Sequence, residues 1–250
     1  MLAVLSTSVY VDVAGAVLWL GAADTTPHAR AIGLAAIDLL TRSNVGDVLC
    51  VPAVSGVRAW RPANGPTTPD TAATLRRAAA RLAARVALLG APRGFGAWLA
   101  GAAPNFAREA GARADALARA CAADDAPGAA AAATTLVGLG PGLTPAGDDF
   151  VGGAFFARAL LARAGALSAV AWDGAASAVE TAAARLTHPI GAALLGDLLH
   201  GEGWAPLHDL AAALASDDEP AGLDAARRLT RLGHSSGWDL LAGFVAGARG

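Results

Sequence analysis

An α+β architecture is predicted by three features of the sequence. The apolar residues before residue 60 fall in short, strand-like runs. Those after residue 70 follow long Ala/Leu/Arg helical patterns. A Pro/Gly/Asn/Thr-rich stretch, Ala63–Asp70, lies between. The predicted division is a small β-rich N-terminal part, residues 1–66, packed on a larger, mostly α-helical C-terminal part, residues 67–250, unless the two form one integrated domain. The 250 residues suffice for a well-buried core. Much of the 54% hydrophobic content is alanine, which favours helix and adds little burial per residue.

In chain order, Val9–Val13 and Ala16–Leu20 read as strands around Gly15. Thr26-Pro27 opens a predicted helix running to about Thr41, with Pro27 in its first turn. Val45–Pro52 and Ser55–Trp60 read as further short strands. Helices are then expected over Thr71–Leu89, Asn105–Ala122, Phe150–Ala164, Trp172–Arg185, Gly191–His200, Ala205–Leu214, Gly222–Leu232 and Gly237–Ala246. Pro92–Trp98 is a break, and Ala129–Val137 is an Ala-rich lead into a Gly-rich motif.

Several function classes lose support. All 19 basic residues are arginine, so no P-loop or Schiff-base lysine exists. The formal charge of −2 comes without a basic stripe, which disfavours nucleic-acid binding. Arg76, Arg77, Arg81 and Arg85 read as one exposed helical face. Cys50 and Cys121 are spaced as isolated buried thiols, as in a reducing cytoplasm. The apolar N-terminus has Asp12 and no basic lead, unlike a signal peptide. Arg158 and Arg163 interrupt the apolar run 150–171, unlike a membrane span. A soluble cytoplasmic protein with no nucleotide cofactor is expected.

The chemistry concentrates in Gly138-Leu139-Gly140-Pro141-Gly142-Leu143-Thr144-Pro145-Ala146-Gly147-Asp148-Asp149. A dinucleotide fingerprint fails here because Leu143 stands where its third glycine belongs. A Walker loop fails because Asp148 stands where its lysine belongs. What remains is a loop that lets a ligand approach the backbone closely at Gly138, Gly140, Gly142 and Gly147. Thr144-Pro145 reads as a hydroxyl N-cap followed by proline at the first helical position, so that the helix's free N–H groups form an anion site. Asp148 and Asp149 lie in the first turn, where the dipole favours negative charge. They are candidates for general acid/base work, or for holding a divalent ion such as Mg²⁺. Adjacent helical residues diverge by about 100°, so one carboxylate is expected to face the ligand and the other to cap.

A second segment, Gly233-His234-Ser235-Ser236-Gly237-Trp238-Asp239-Leu240-Leu241-Ala242-Gly243, repeats the pattern. Placing Gly147 on Gly237 puts Asp149 on Asp239, Phe150 on Leu240 and Gly153 on Gly243. Two similar helix N-termini converging on one ligand are predicted, with Gly152, Gly153 and Gly243 permitting close helix contact. Ser236 and Asp239 have capping-box spacing. His234 is a candidate general acid or ligand contact, Ser235 and Ser236 are ligand-binding hydroxyls, and Asp239 is a binding carboxylate. His28, after Pro27, is a further candidate anion contact, and His188 a weaker one. His200 and His208 read as helix-end or surface residues. No His/Cys spacing reads as a zinc site.

Together, Gly-Leu-Gly-Pro-Gly-Leu-Thr-Pro-Ala-Gly-Asp-Asp-Phe from Gly138 and Gly-His-Ser-Ser-Gly-Trp-Asp from Gly233 resemble a bacterial family that includes a subunit of oxamate carbamoyltransferase. The resemblance extends to Pro27-His28 and to Thr187 before a Gly-containing helix. The family often has a serine shortly after that threonine, where this chain has Gly191. The resemblance implies a place in allantoin or purine nitrogen catabolism. The implied reaction takes oxalurate and phosphate to oxamate and carbamoyl phosphate in a multi-subunit assembly. Two alternatives are a non-catalytic metabolite-binding or scaffold subunit and a metal-dependent amide or phosphate hydrolase.

Overall fold

The computed structural model describes residues 1–35, 37, 42–48, 59–104, 106 and 109–249. Among them, a four-stranded N-terminal sheet precedes a helical remainder, as the α+β expectation holds. The chain forms two compact units, Met1–Pro62 and Ala63–Gly250. No helix among the described residues is long and apolar enough to cross a membrane.

In the first unit, β1 (Ala3–Val4), β2 (Ser8–Val13) and β3 (Ala16–Ala22) are antiparallel, and β4 (Ala31–Leu34) lies parallel to β3. The β2–β3 hairpin turns through Ala14 and Gly15, both with positive φ, which matches the right-handed twist of the strands. Val9, Val11 and Leu20 gather on one face, while Tyr10 and Trp19, directly opposite each other, stack on the other.

The helix predicted from Pro27 does not form over its described residues. Residues 26–30 are loop and turn, and 31–34 are strand. Proline at a helix start is a local signal, and backbone pairing of Ala31–Leu34 with β3 overrides it. The rest of that prediction, at 36 and 38–41, lies outside the described residues, as do residues 49–52 of the predicted strand Val45–Pro52, which include Cys50, and residues 55–58 of the last predicted strand. Residues 45–48 are turn or irregular.

The second unit contains α1 (Pro69–Ala83), α2 (Phe95–Leu99), α3 (Ala110–Ala122), α4 (Ala126–Thr134), α5 (Ala146–Arg163), α6 (Ala169–Leu186), α7 (Pro189–Leu199), α8 (Ala205–Ala215), α9 (Glu219–Leu229) and α10 (Ser236–Gly247). Many starts follow one recipe of a capping side chain with proline at the first or second position. Thr68 and Thr71 form a reciprocal cap before Pro69, Asp125 caps α4, His188 caps α7 and Asp218 caps α9. The long helix predicted over Thr71–Leu89 ends at Ala83 and continues as a 3₁₀ turn, Val86–Leu89. The break at Pro92–Trp98 contains the short α2. His208, read as a surface residue, is buried inside α8, where its Nε2 accepts from the Gly203 amide. Burial lowers its pKa to about 4, so it is neutral at ordinary pH.

At the centre lie α5 and α10, both buried almost along their whole length. Their contact is reciprocal. A Cβ on Gly153 would run into the Leu240 carbonyl and sit 2.9 Å from Phe244 N. A Cβ on Gly243 would run into the Phe150 carbonyl and sit 3.0 Å from Ala154 N. Phe150 corresponds to Leu240, and Ala154 to Phe244, in the sequence repeat, so the repeat is an approximate internal two-fold. Phe150 meets Gly243 and Ala154 meets Gly247, so the two helices run in the same direction.

This contact makes opposite predictions for two Gly→Ala changes. Gly243→Ala should destabilise by about 1–3 kcal/mol, as overpacking does. Gly174→Ala, on the exposed side of α6 with nothing within 4 Å, should stabilise by up to about 1 kcal/mol. Chemical denaturation of both variants checks this, and equal midpoints for Gly243→Ala and the parent chain would rule out the close crossing.

Candidate functional site

The crossing sets the N-termini of α5 and α10 side by side, with Thr144 Oγ1 3.4 Å from Ser236 Oγ. The loop before α5 folds back onto the helix start. Gly138 has φ +77 and lies so close to the Leu186 carbonyl that a side chain would not fit. The Gly147 amide donates to Leu139 O at 2.8 Å. Pro145 is itself the N-cap, in an extended conformation, and Thr144 makes no cap hydrogen bond. This corrects the expected Thr144 cap, because the chain turns into the helix one residue later than its Thr-Pro signal implies. The Ser236–Asp239 capping box is also absent. Ser235 is the N-cap of α10 and makes no side-chain cap, while Asp239 is engaged elsewhere.

Three carboxyl groups lie buried beneath these N-termini, and their fates differ. Asp148 spends both oxygens on structure: Oδ1 accepts from Gly138 N at 2.7 Å and Oδ2 from the Thr187 hydroxyl. It thereby ties the Gly-rich loop to the end of α6. Its pKa is raised by burial, and those two hydrogen bonds oppose the rise. Asp149 points toward the second motif. Burial, then the neighbouring Asp239 charge, push its pKa well above the carboxylate range, against a hydrogen bond from Ser236. Asp239 is raised to about 7 by burial, opposed by the Phe95 amide and Ser235. Its Oδ1 accepts from Phe95 N at 2.6 Å. Oδ2 of Asp149 and Oδ2 of Asp239 are buried and, among the described residues, have no hydrogen-bond partner, and the Asp239 charge is felt at Asp149.

Above the carboxyls the surface is polar. Thr144, Ser235 and Ser236 are half-buried, and Gly142 and His234 are exposed. In the first turns, Asp148 N and Asp149 N donate to Pro145 O, and Trp238 N and Asp239 N to Ser235 O. The Ala146 and Ser236 amides have no acceptor among the described residues and stand at the positive ends of two parallel helix dipoles. Gly140 packs against the Ala146 amide, and Gly142, at φ +100, faces open space.

The structure thus brings Gly138, Gly140, Gly142, Thr144, Gly147, Asp148, Asp149, Ser235, Ser236 and Asp239 together, with His234 at the rim. Thr187, named through the family resemblance, joins them through Asp148, and the structure adds the segment Arg93–Phe95, which nothing in the sequence indicated. The Arg93 guanidinium donates to His234 O at 3.1 Å. His28 belongs to the other unit, buried, with its Nδ1 accepting from Arg30 N. His188 is an N-cap. Among the described residues, no group of three or more His, Cys, Asp or Glu side chains is disposed to hold a metal ion.

Residues 136–248 match the family model of the oxamate carbamoyltransferase subunit AllH. The likeness carried by the two motifs is thus borne out over that part of the chain, which spans both helix N-termini. No curated protein and no solved structure matches the chain.

The raised Asp239 pKa has a signed consequence for stability. Below the ordinary value of 3.8 the group is protonated in both folded and unfolded chains. Between 3.8 and about 7 the unfolded chain loses the proton first, so the native state loses stability as pH rises. The shift corresponds to about 4 kcal/mol. Asp239→Asn keeps an acceptor for Phe95 N and removes this titration. Its denaturation midpoint should fall less between pH 4 and 7 than that of the parent chain. Parallel pH profiles for the two proteins would contradict the assignment.

Proposed function

We propose that this chain is a subunit of an oxamate carbamoyltransferase-type enzyme, and that the paired N-termini of α5 and α10 bind its anionic ureide or carbamoyl phosphate ligand. The observation that carries this reading is the placement of two first turns side by side over a buried, partly unpaired carboxyl pair. Helix N-termini and hydroxyls suit oxyanions and polarised carbonyls. Carboxyls beneath them suit N–H groups and proton storage.

In the reaction, a phosphate oxygen bonds to the terminal ureide carbon of oxalurate, and that carbon's bond to the inner nitrogen breaks. The nitrogen leaves with a proton as the amide of oxamate. The amides of Ala146 and Ser236, with Thr144 and Ser235, would hold the carbonyl and phosphate oxygens. Ser236, which faces both Thr144 and Asp149, would pass a proton from the Asp149–Asp239 pair to the leaving nitrogen, and the pair would regain one from the hydroxyl of the attacking phosphate. A carboxyl kept protonated near neutrality suits this step. Asp148 would set the geometry of the loop, and His234 would contact ligand at the rim. Other subunits would complete the assembly. The reading places the chain in the cytoplasm, in ureide nitrogen breakdown.

The test is Asp149→Asn in the assembled enzyme. Turnover should fall roughly a hundredfold or more, with assembly intact by gel filtration and oxalurate binding retained by calorimetry. Lost assembly would favour a docking role for the motif. Unchanged turnover, or activity restored by stoichiometric Mg²⁺ or Mn²⁺, would defeat the proposal.

A further inference from the structure

The start of α2 and the two residues before it are held against the second motif at every residue from 93 to 96. Gly94 has φ +52, and any Cβ there would overlap the Asp239 carboxyl. Phe95 donates its amide to the same carboxyl at 2.6 Å, and its ring packs 4.5 Å from that of Phe150, one residue after Asp149. Gly96 lies so close to the Trp238 ring that a Cβ would come within 2.6 Å of it. These contacts fix the backbone on which Arg93 stands. The guanidinium itself is anchored at one corner, Nη1 to His234 O at 3.1 Å, two residues before Ser236. No carboxylate pairs with Arg93 among the described residues, and the residue is exposed.

Beneath this rim lie the buried carboxyls of Asp148, Asp149 and Asp239, which offer an incoming anion no positive charge. Two helix N-termini contribute about half a charge each, as dipoles, and they polarise a neutral carbonyl as well as an anion; telling the two apart takes a fixed cation. Arginine supplies it in a planar fork that suits carboxylate and phosphate oxygens alike.

We infer that Arg93 is the oxyanion-recognising residue of this site, gripping the carboxylate or phosphate of the ligand while its anchored corner holds the His234–Ser236 turn in place. The inference rests on the proposed binding role of the paired N-termini. It identifies the residue that selects a charged ligand over a neutral amide of the same size.

Calorimetry on the full chain, or on the assembled enzyme, with oxamate, inorganic phosphate and neutral urea separates the outcomes. Arg93→Gln should weaken the oxyanion it grips by roughly tenfold or more, leave urea unaffected and flatten the salt dependence. Arg93→Lys should recover part of the loss. A loss confined to oxamate identifies the carboxylate as the group gripped, and one confined to phosphate identifies the phosphoryl group. Parent-like oxyanion binding in Arg93→Gln, together with its loss in Ser236→Ala, would overturn the role of Arg93 and leave the proposed function standing. No oxyanion binding by the parent protein would overturn both.

Discussion

Gly153 and Gly243 each leave open the space that the backbone of the other's helix occupies. Everything proposed for this chain depends on that mutual approach. Helices that meet through ordinary side chains keep their axes about 8–10 Å apart, and their N-termini then act separately. Here each helix seats its backbone against a glycine of its partner, and the helices run in the same direction. The first turns therefore end up beside each other, close enough for Thr144 and Ser236 to face across the gap. Gly147 and Gly237 extend the pattern outward: each leaves room for a carbonyl of the preceding segment, Leu136 and Leu229 respectively. The repeated glycines are packing devices whose product is a paired helix start.

Placing carboxyls under that pair has an energetic cost. Removing an ionised carboxylate from water costs several kcal/mol, whereas a helix N-terminus returns about 0.3–2 kcal/mol. Asp149 and Asp239 also repel each other when both are charged. The deficit is relieved by protonation, which explains why both residues titrate upward. Asp148 escapes much of this because an amide and a hydroxyl saturate its two oxygens. Adjacent residues thus acquire different chemistry from their partners. One is a fixed hydrogen-bond acceptor that locks the loop to Thr187, and the other is a carboxyl pushed up by burial with an open oxygen.

The sequence made some of this legible and hid the rest, for physical reasons. The β2–β3 hairpin follows from alternation around Gly15. The paired motifs were visible because glycine and aspartate are costly inside an apolar helix, so their repetition at a 90-residue offset leaves a mark in the sequence. Cap positions were less legible: Thr144-Pro145 carries a start signal, yet the loop closes through Gly147 N and Leu139 O and moves the first turn along. Pro27 gave a similar signal that pairing with β3 outweighed. The partner of Asp239 was beyond reach, because Phe95 lies 144 residues away and an amide leaves no trace in residue identity.

That last contact shows why the site has to be understood as four segments. Asp239 binds the residue 93–96 stretch, Asp148 binds Gly138 and Thr187, and Ser236 faces Thr144. Each carboxyl joins its own helix start to a different remote piece of chain, and the glycine crossing joins the two helix starts to each other. A change at Gly94, Gly138 or Gly243 would therefore reach the same surface by three routes, although none of these residues offers a side chain to a ligand. The acidic residues act first as the frame that ties the Gly-rich loop, Thr187 and the 93–96 segment to the two helix starts. The oxygens that the frame does not use, Oδ2 of Asp149 and Oδ2 of Asp239, are left without a partner among the described residues, and the proposed proton chemistry rests on them.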